Sequence, residues 1–85
     1  MTDLEFDLLD EIYFVKSYAE ISAALGWEDN KILSTLKSLF EKGWIRCYKS
    51  PTEEILNDNI DLDVGYKIYF YLASKSGLFA HNSTE

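Results

Sequence analysis

Apolar residues recur along the first half of this chain at helical spacing and along the second half at alternating positions. Leu4, Leu8, Ile12 and Val15 form the first series, flanked by Leu9 and Tyr13, with carboxylates opposite. Thr2 and Glu5 have the spacing of a capping box, in which each side chain satisfies a free amide of the other residue. Together they predict a helix over 3–14. Ser17 and Glu20 repeat the spacing, and Tyr18, Ile21, Ala24 and Leu25 point inward from a second helix, 17–25. It stops at Gly26, the residue best suited to a left-handed terminal position.

A third helix, 29–42, follows after a short turn. Glu28, Asp29 or Asn30 can cap it. Ile32, Leu33, Leu36, Leu39 and Phe40 fall within about 120° of arc at the helical 100° per residue. The opposite arc carries Lys31, Ser34, Thr35, Lys37, Ser38, Glu41 and Lys42, and Gly43 ends the element.

Beyond Gly43 the period becomes two. Residues 45–49 read as a strand. Every even position from Ile60 to Leu72 is apolar, which predicts a second strand over 60–72, with Gly65 marking a bulge. The polar stretch 50–59, containing Pro51, supplies the turn. Residues 73–85 form a tail, either a short helix or an extended segment.

Three helices with a tight turn between the second and third, then a β-hairpin, describe a helix-turn-helix with a wing. The stretch "YAEISAALGWEDNKILSTLKSLFEKGWIRCY" resembles the core of small bacterial winged-helix transcriptional regulators. "EISAALGW" corresponds to the scaffold helix, "ILSTLKSLFEKGWI" to the recognition helix and its glycine stop, and "YFYLASKSG" to the strand leaving the wing. The expected fold is therefore a single α+β, mainly α, winged-helix domain spanning 1–85.

Composition fits that size. The chain has 85 residues, 47% hydrophobic and 15% aromatic. Large aromatic side chains can build a core in so short a domain. One cysteine excludes an intramolecular disulfide. An acidic N-terminus without an apolar run argues against a signal peptide or membrane span, so a cytoplasmic protein is expected.

Charge sets the functional question. The net charge is −7, yet residues 31–49 carry Lys31, Lys37, Lys42, Arg46 and Lys49 against Glu41 alone, a local +4. The family resemblance implies that the exposed face of helix 29–42 enters a DNA major groove. The candidate contacts are Asn30, Lys31, Ser34, Thr35, Lys37 and Ser38, with Lys42, Arg46 and Lys49 on phosphate. One such helix reads a short half-site, so a homodimer is expected. Against this, the wing departs from the family pattern. Glu53, Glu54, Asp58, Asp61 and Asp63 lie within 50–65, where no basic residue occurs. Carboxylates beside phosphates oppose the term that dominates DNA affinity. The alternative is a protein-interaction module that binds no DNA and docks a basic partner through this acidic wing and the acidic first helix. Tyr69 and Tyr71, read as facing away from the core, add an interface unless the tail covers them. No active site, metal ligand set or cofactor motif is recognised: His81 falls in the tail and Cys47 in a strand beside Ile45. Both are read as non-catalytic.

Overall fold

Thr2 and Glu5 form the expected reciprocal cap in the computed structural model, which describes residues 1–83. Thr2 Oγ1 accepts from the Glu5 amide at 3.1 Å, and Glu5 Oε1 accepts from the Thr2 amide at 2.9 Å. Helix α1 runs Asp3–Glu11, shorter than the apolar spacing suggests, because the backbone leaves helical geometry at Ile12. The freed segment contains a short strand, β1 (Lys16–Ser17), which the sequence reading did not separate from the next helix. Ser17 then caps α2 (Tyr18–Leu25) in a second reciprocal box with Glu20. Gly26 ends α2 at φ 67°, in the left-handed region that favours glycine.

Helix α3 spans Asp29–Glu41. Its end is closed by Gly43 at φ 73° and by backbone bonds from Gly43 to Phe40 and from Trp44 to Leu39. Strand β2 (Ile45–Ser50) turns into a two-residue β3 (Glu53–Glu54). A 3-10 turn (Asn57–Asn59) and a one-turn helix α4 (Leu62–Gly65) follow, then β4 (Phe70–Ala73) and α5 (Lys75–Asn82). The sheet is antiparallel, in the order β1-β4-β2-β3. Among the described residues the fold is thus α+β and mainly helical.

The helices and sheet meet in one core. Leu8, Leu9 and Ile12 of the first helical segment pack with Ile21, Ile32, Leu36, Leu39, Cys47 and Tyr71, all nearly inaccessible to solvent. Removing each such aliphatic side chain from water stabilises the fold by about 1.5–3 kcal/mol before the entropy of ordering is counted. The α3 residues supplying this core are those of the apolar arc.

The long strand over 60–72 is not formed; the paired strand is Phe70–Ala73. Two local features account for this. Asp61 Oδ1 accepts from the Val64 amide, which starts α4, and Gly65 is buried beneath the Tyr69 ring. Within β4 the inward phase is also opposite to the expectation. Ile45 and Cys47 face the core from β2, and their register partners are Ala73 and Tyr71. Odd positions therefore bury, while Val64 and Ile68 are 83% and 75% exposed.

Of the two conformations left open for the tail, residues 75–82 take the helical one. Ser74 Oγ caps α5 by accepting from the Gly77 amide at 3.1 Å, and its hydroxyl donates to the Gly43 carbonyl at 2.7 Å. Gly77 lies directly against the Trp44 carbonyl. The final two residues of the expected tail, 84 and 85, lie outside the described residues.

Candidate partner-docking face

The basic stretch is largely neutralised within the fold. Lys42 Nζ lies 2.7 Å from Glu5 Oε2, and the Ser38 hydroxyl donates to the same oxygen at 2.7 Å. Glu5 is only 2% exposed. Burial alone would raise its pKa. Hydrogen bonds from Lys42, the Thr2 amide and Ser38, with the Lys42 charge, outweigh that and bring it to about 2. Lys37 Nζ lies 2.6 Å from Asp63 Oδ1, and Arg46 reaches Glu54 at 3.4 Å. Lys31 sits over the Trp27 ring, 4.9 Å from its centroid.

Three of the five cations in 31–49 are therefore engaged by carboxylates from elsewhere in the chain. The reverse arrangement occurs at Asp29, which begins α3. It accepts from the Tyr18 hydroxyl and pairs with Lys67 at 3.0 Å. Those bonds, led by that of Tyr18, lower its pKa.

The polar arc of α3 is narrower than its sequence suggests. Asn30, Lys31, Ser34 and Lys37 are exposed, as are Lys42, Arg46 and Lys49. Thr35 is not: it is 4% exposed, and its hydroxyl donates to the Lys31 carbonyl at 2.8 Å. Ser38 is half-buried against α1 through Glu5. Neither hydroxyl is presented outward, which corrects two of the expected contacts. Each has an acceptor, the Lys31 carbonyl within α3 for Thr35 and Glu5 of α1 for Ser38, so a polar side chain could turn inward at no loss of hydrogen bonding.

The acidic segment is largely solvent-facing. Glu53, Glu54, Asp58, Asp61 and Asp63 are all exposed. The tyrosines expected beside them are not an outward pair. Tyr71 is fully buried and its hydroxyl donates to the Tyr66 carbonyl at 2.6 Å. Tyr69 is half-buried; its hydroxyl oxygen accepts from the Asp61 amide at 3.1 Å.

Between α3 and the 58–63 segment lies a groove of about 450 Å³. Its apolar lining is Phe40, Ile60 and Leu62; Glu41, Asp58, Asp61 and Asp63 add four carboxylates, and Lys37 the one cation. The lysine's pKa is raised, first by its hydrogen bond to Asp63 and then by the charges of Asp63, Glu41 and Asp61. Sequence reasoning identified Asp58, Asp61, Asp63 and Lys37 singly but not their meeting. Ile60 and Leu62 signalled burial, but alternation assigned them to a strand rather than to a groove.

His81 is buried between α5 and α1, stacked on Phe6 at 4.0 Å between centroids and hydrogen-bonded to Tyr13. It packs α5 against α1 there. Cys47 is fully buried, and that burial pushes its thiol up to about 12. Among the described residues no group of three or more His, Cys, Asp or Glu side chains is placed to hold a metal, and no helix is long and apolar enough to cross a membrane.

Comparisons with protein-family models, with curated proteins and with solved structures return no match to this chain.

Proposed function

We propose that this chain is a winged-helix module that docks a basic segment of a protein partner through the face formed by residues 53–63 and the adjoining end of α3. Three helices with a strand after the first, and a terminal sheet pairing that strand with β4 beside β2, support the winged-helix reading. The observation that carries the docking role is the pairing of charges. Lys37, Lys42 and Arg46, three of the five cations a DNA-reading helix and first strand would offer, each lie against a carboxylate. A phosphate could bind them only by displacing those partners, in a molecule whose net charge of −7 repels polyanions. The same charge attracts a cationic segment. Val64, next to Asp63, and Ile68 add exposed apolar surface.

The test is fluorescence anisotropy at low salt with two probes, a labelled Lys/Arg-rich peptide and a random DNA duplex. The docking role requires peptide binding that weakens with salt and with combined Asp61→Asn and Asp63→Asn substitution. Duplex binding without peptide binding refutes it.

A DNA-binding regulator is the second reading, favoured by one observation: Asn30, Lys31, Ser34 and Lys37 remain exposed together on α3. It requires duplex binding that is lost when Lys31 and Lys37 are both replaced by Glu.

A further inference from the structure

The groove beside α3 already holds a cation, and that cation belongs to the chain itself. Lys37 lines the groove and its ammonium contacts Asp63, while Glu41, Asp58 and Asp61 also line it without an equivalent cation among the described residues. Asp61 uses one oxygen to cap α4, leaving the other for a ligand. The Lys37–Asp63 pair is solvent-exposed, with side-chain accessibilities of 45% and 66%. Exposed pairs of this kind contribute little to stability, so the contact is readily exchanged. Beneath it lie Phe40, Ile60 and Leu62, apolar surface suited to the methylene stem of a long basic side chain.

We infer that this groove takes an arginine side chain of the protein partner, and that the arginine enters by displacing Lys37 from Asp63. Arginine fits better than lysine for two reasons. Its planar guanidinium can engage two carboxylates at once, and it is less strongly hydrated than an ammonium. Four carboxylates line the groove; one already meets a point charge, and a forked cation can bridge between them. Lys37 then acts as an internal competitor that occupies Asp63 until a partner arrives. The inference rests on the docking reading and deepens it by assigning the recognised group.

The experiment measures anisotropy of three labelled peptides at low salt: one with a single arginine between leucines, one with lysine there, one with norleucine. They are titrated with the full chain and with its Lys37→Met and Asp63→Asn variants. Both positions are exposed, and circular dichroism confirms that each variant folds. The arginine peptide should bind most tightly. Removing Lys37 should tighten its binding about threefold, and Asp63→Asn should weaken it about fivefold. Unchanged or weaker binding by Lys37→Met, with wild-type binding intact, overturns the displacement and leaves docking standing. Equal affinity for the lysine peptide overturns the arginine assignment alone. Failure of the wild type to bind either basic peptide removes both the inference and the docking reading. The sign for Lys37 also separates the two functional readings, because loss of a DNA contact could only weaken duplex binding.

Discussion

Lys42 at the end of α3 and Glu5 at the start of α1 form an ion pair 2.7 Å long, with the carboxylate buried and the ammonium half in solvent. One oxygen of Glu5 takes Lys42 and Ser38; the other takes the Thr2 amide. Three groups from two parts of the chain thus converge on one side chain. Satisfaction from so many donors is what allows a charged group to remain ionised there.

Glu5→Gln should therefore destabilise the fold by about 2 kcal/mol at neutral pH, read from urea unfolding. The pH dependence has a defined sign. The folded pKa of Glu5 is about 2, against an ordinary value of 4.5. Its contribution, about 3 kcal/mol at most, is complete above pH 4.5 and is lost as pH falls toward 2. The gap between wild type and Glu5→Gln should close over that interval. A gap that widens on acidification would mean that Glu5 is protonated in the native state.

Cys47 should resist alkylation in the native protein. Its thiol is inaccessible and its pKa is raised to about 12 by burial, so thiolate is scarce at pH 8. Labelling with iodoacetamide should track unfolding, appearing across the urea transition. Rapid labelling without denaturant would show that β2 opens locally.

Two glycines should differ sharply in their tolerance of alanine. A Cβ at Gly77 would lie 2.1 Å from the Trp44 carbonyl oxygen, a backbone atom that cannot yield without moving β2. At Gly65 the obstacle is the outer part of the Tyr69 ring, 2.5–2.9 Å away, which can swing aside. Gly77→Ala should cost about 2–3 kcal/mol and Gly65→Ala less, compared by thermal denaturation. Equal costs would contradict the seating of α5 on the Trp44 carbonyl.

Tyr18→Phe removes the hydroxyl that ties α2 to Asp29 at the start of α3. Tyr18 is 6% exposed, and Lys67 continues to hold Asp29. A loss of about 1 kcal/mol is expected in chemical denaturation, smaller than that for Glu5→Gln. A larger loss would indicate that Lys67 cannot hold Asp29 unaided.

Much of the helical part was legible because its signals are local. Thr2 with Glu5, Ser17 with Glu20, and the stops at Gly26 and Gly43 each rest on neighbours a few residues apart. The second half was misread where a local pattern competed with a distant one. Ile60, Leu62, Val64 and Ile68 alternate like a strand, but Asp61 caps a helical turn and Val64 and Ile68 face solvent. Which face of β4 turns inward is decided by Cys47 and Ile45 across the ladder, and β4's own residues do not reveal it. The candidate site shows the same division. The local excess of lysine was plain to read; its neutralisation by Glu5, Asp63 and Glu54 depends on tertiary contacts. Glu5 was legible as a cap, while its second oxygen, which organises the end of α3, had no local signature.

The pairing of β1 with β4, Lys16 opposite Tyr71, joins segments far apart in the chain. A two-residue strand near the beginning has nothing to hydrogen-bond until a segment more than fifty positions later is in place. Because that pairing must close a long loop, the expected order is association of the three early helices first and closure of the sheet afterwards. Refolding should therefore show helix signal ahead of Tyr71 burial, and a chain interrupted before Phe70 would leave Leu8, Ile21 and Leu36 without their lid.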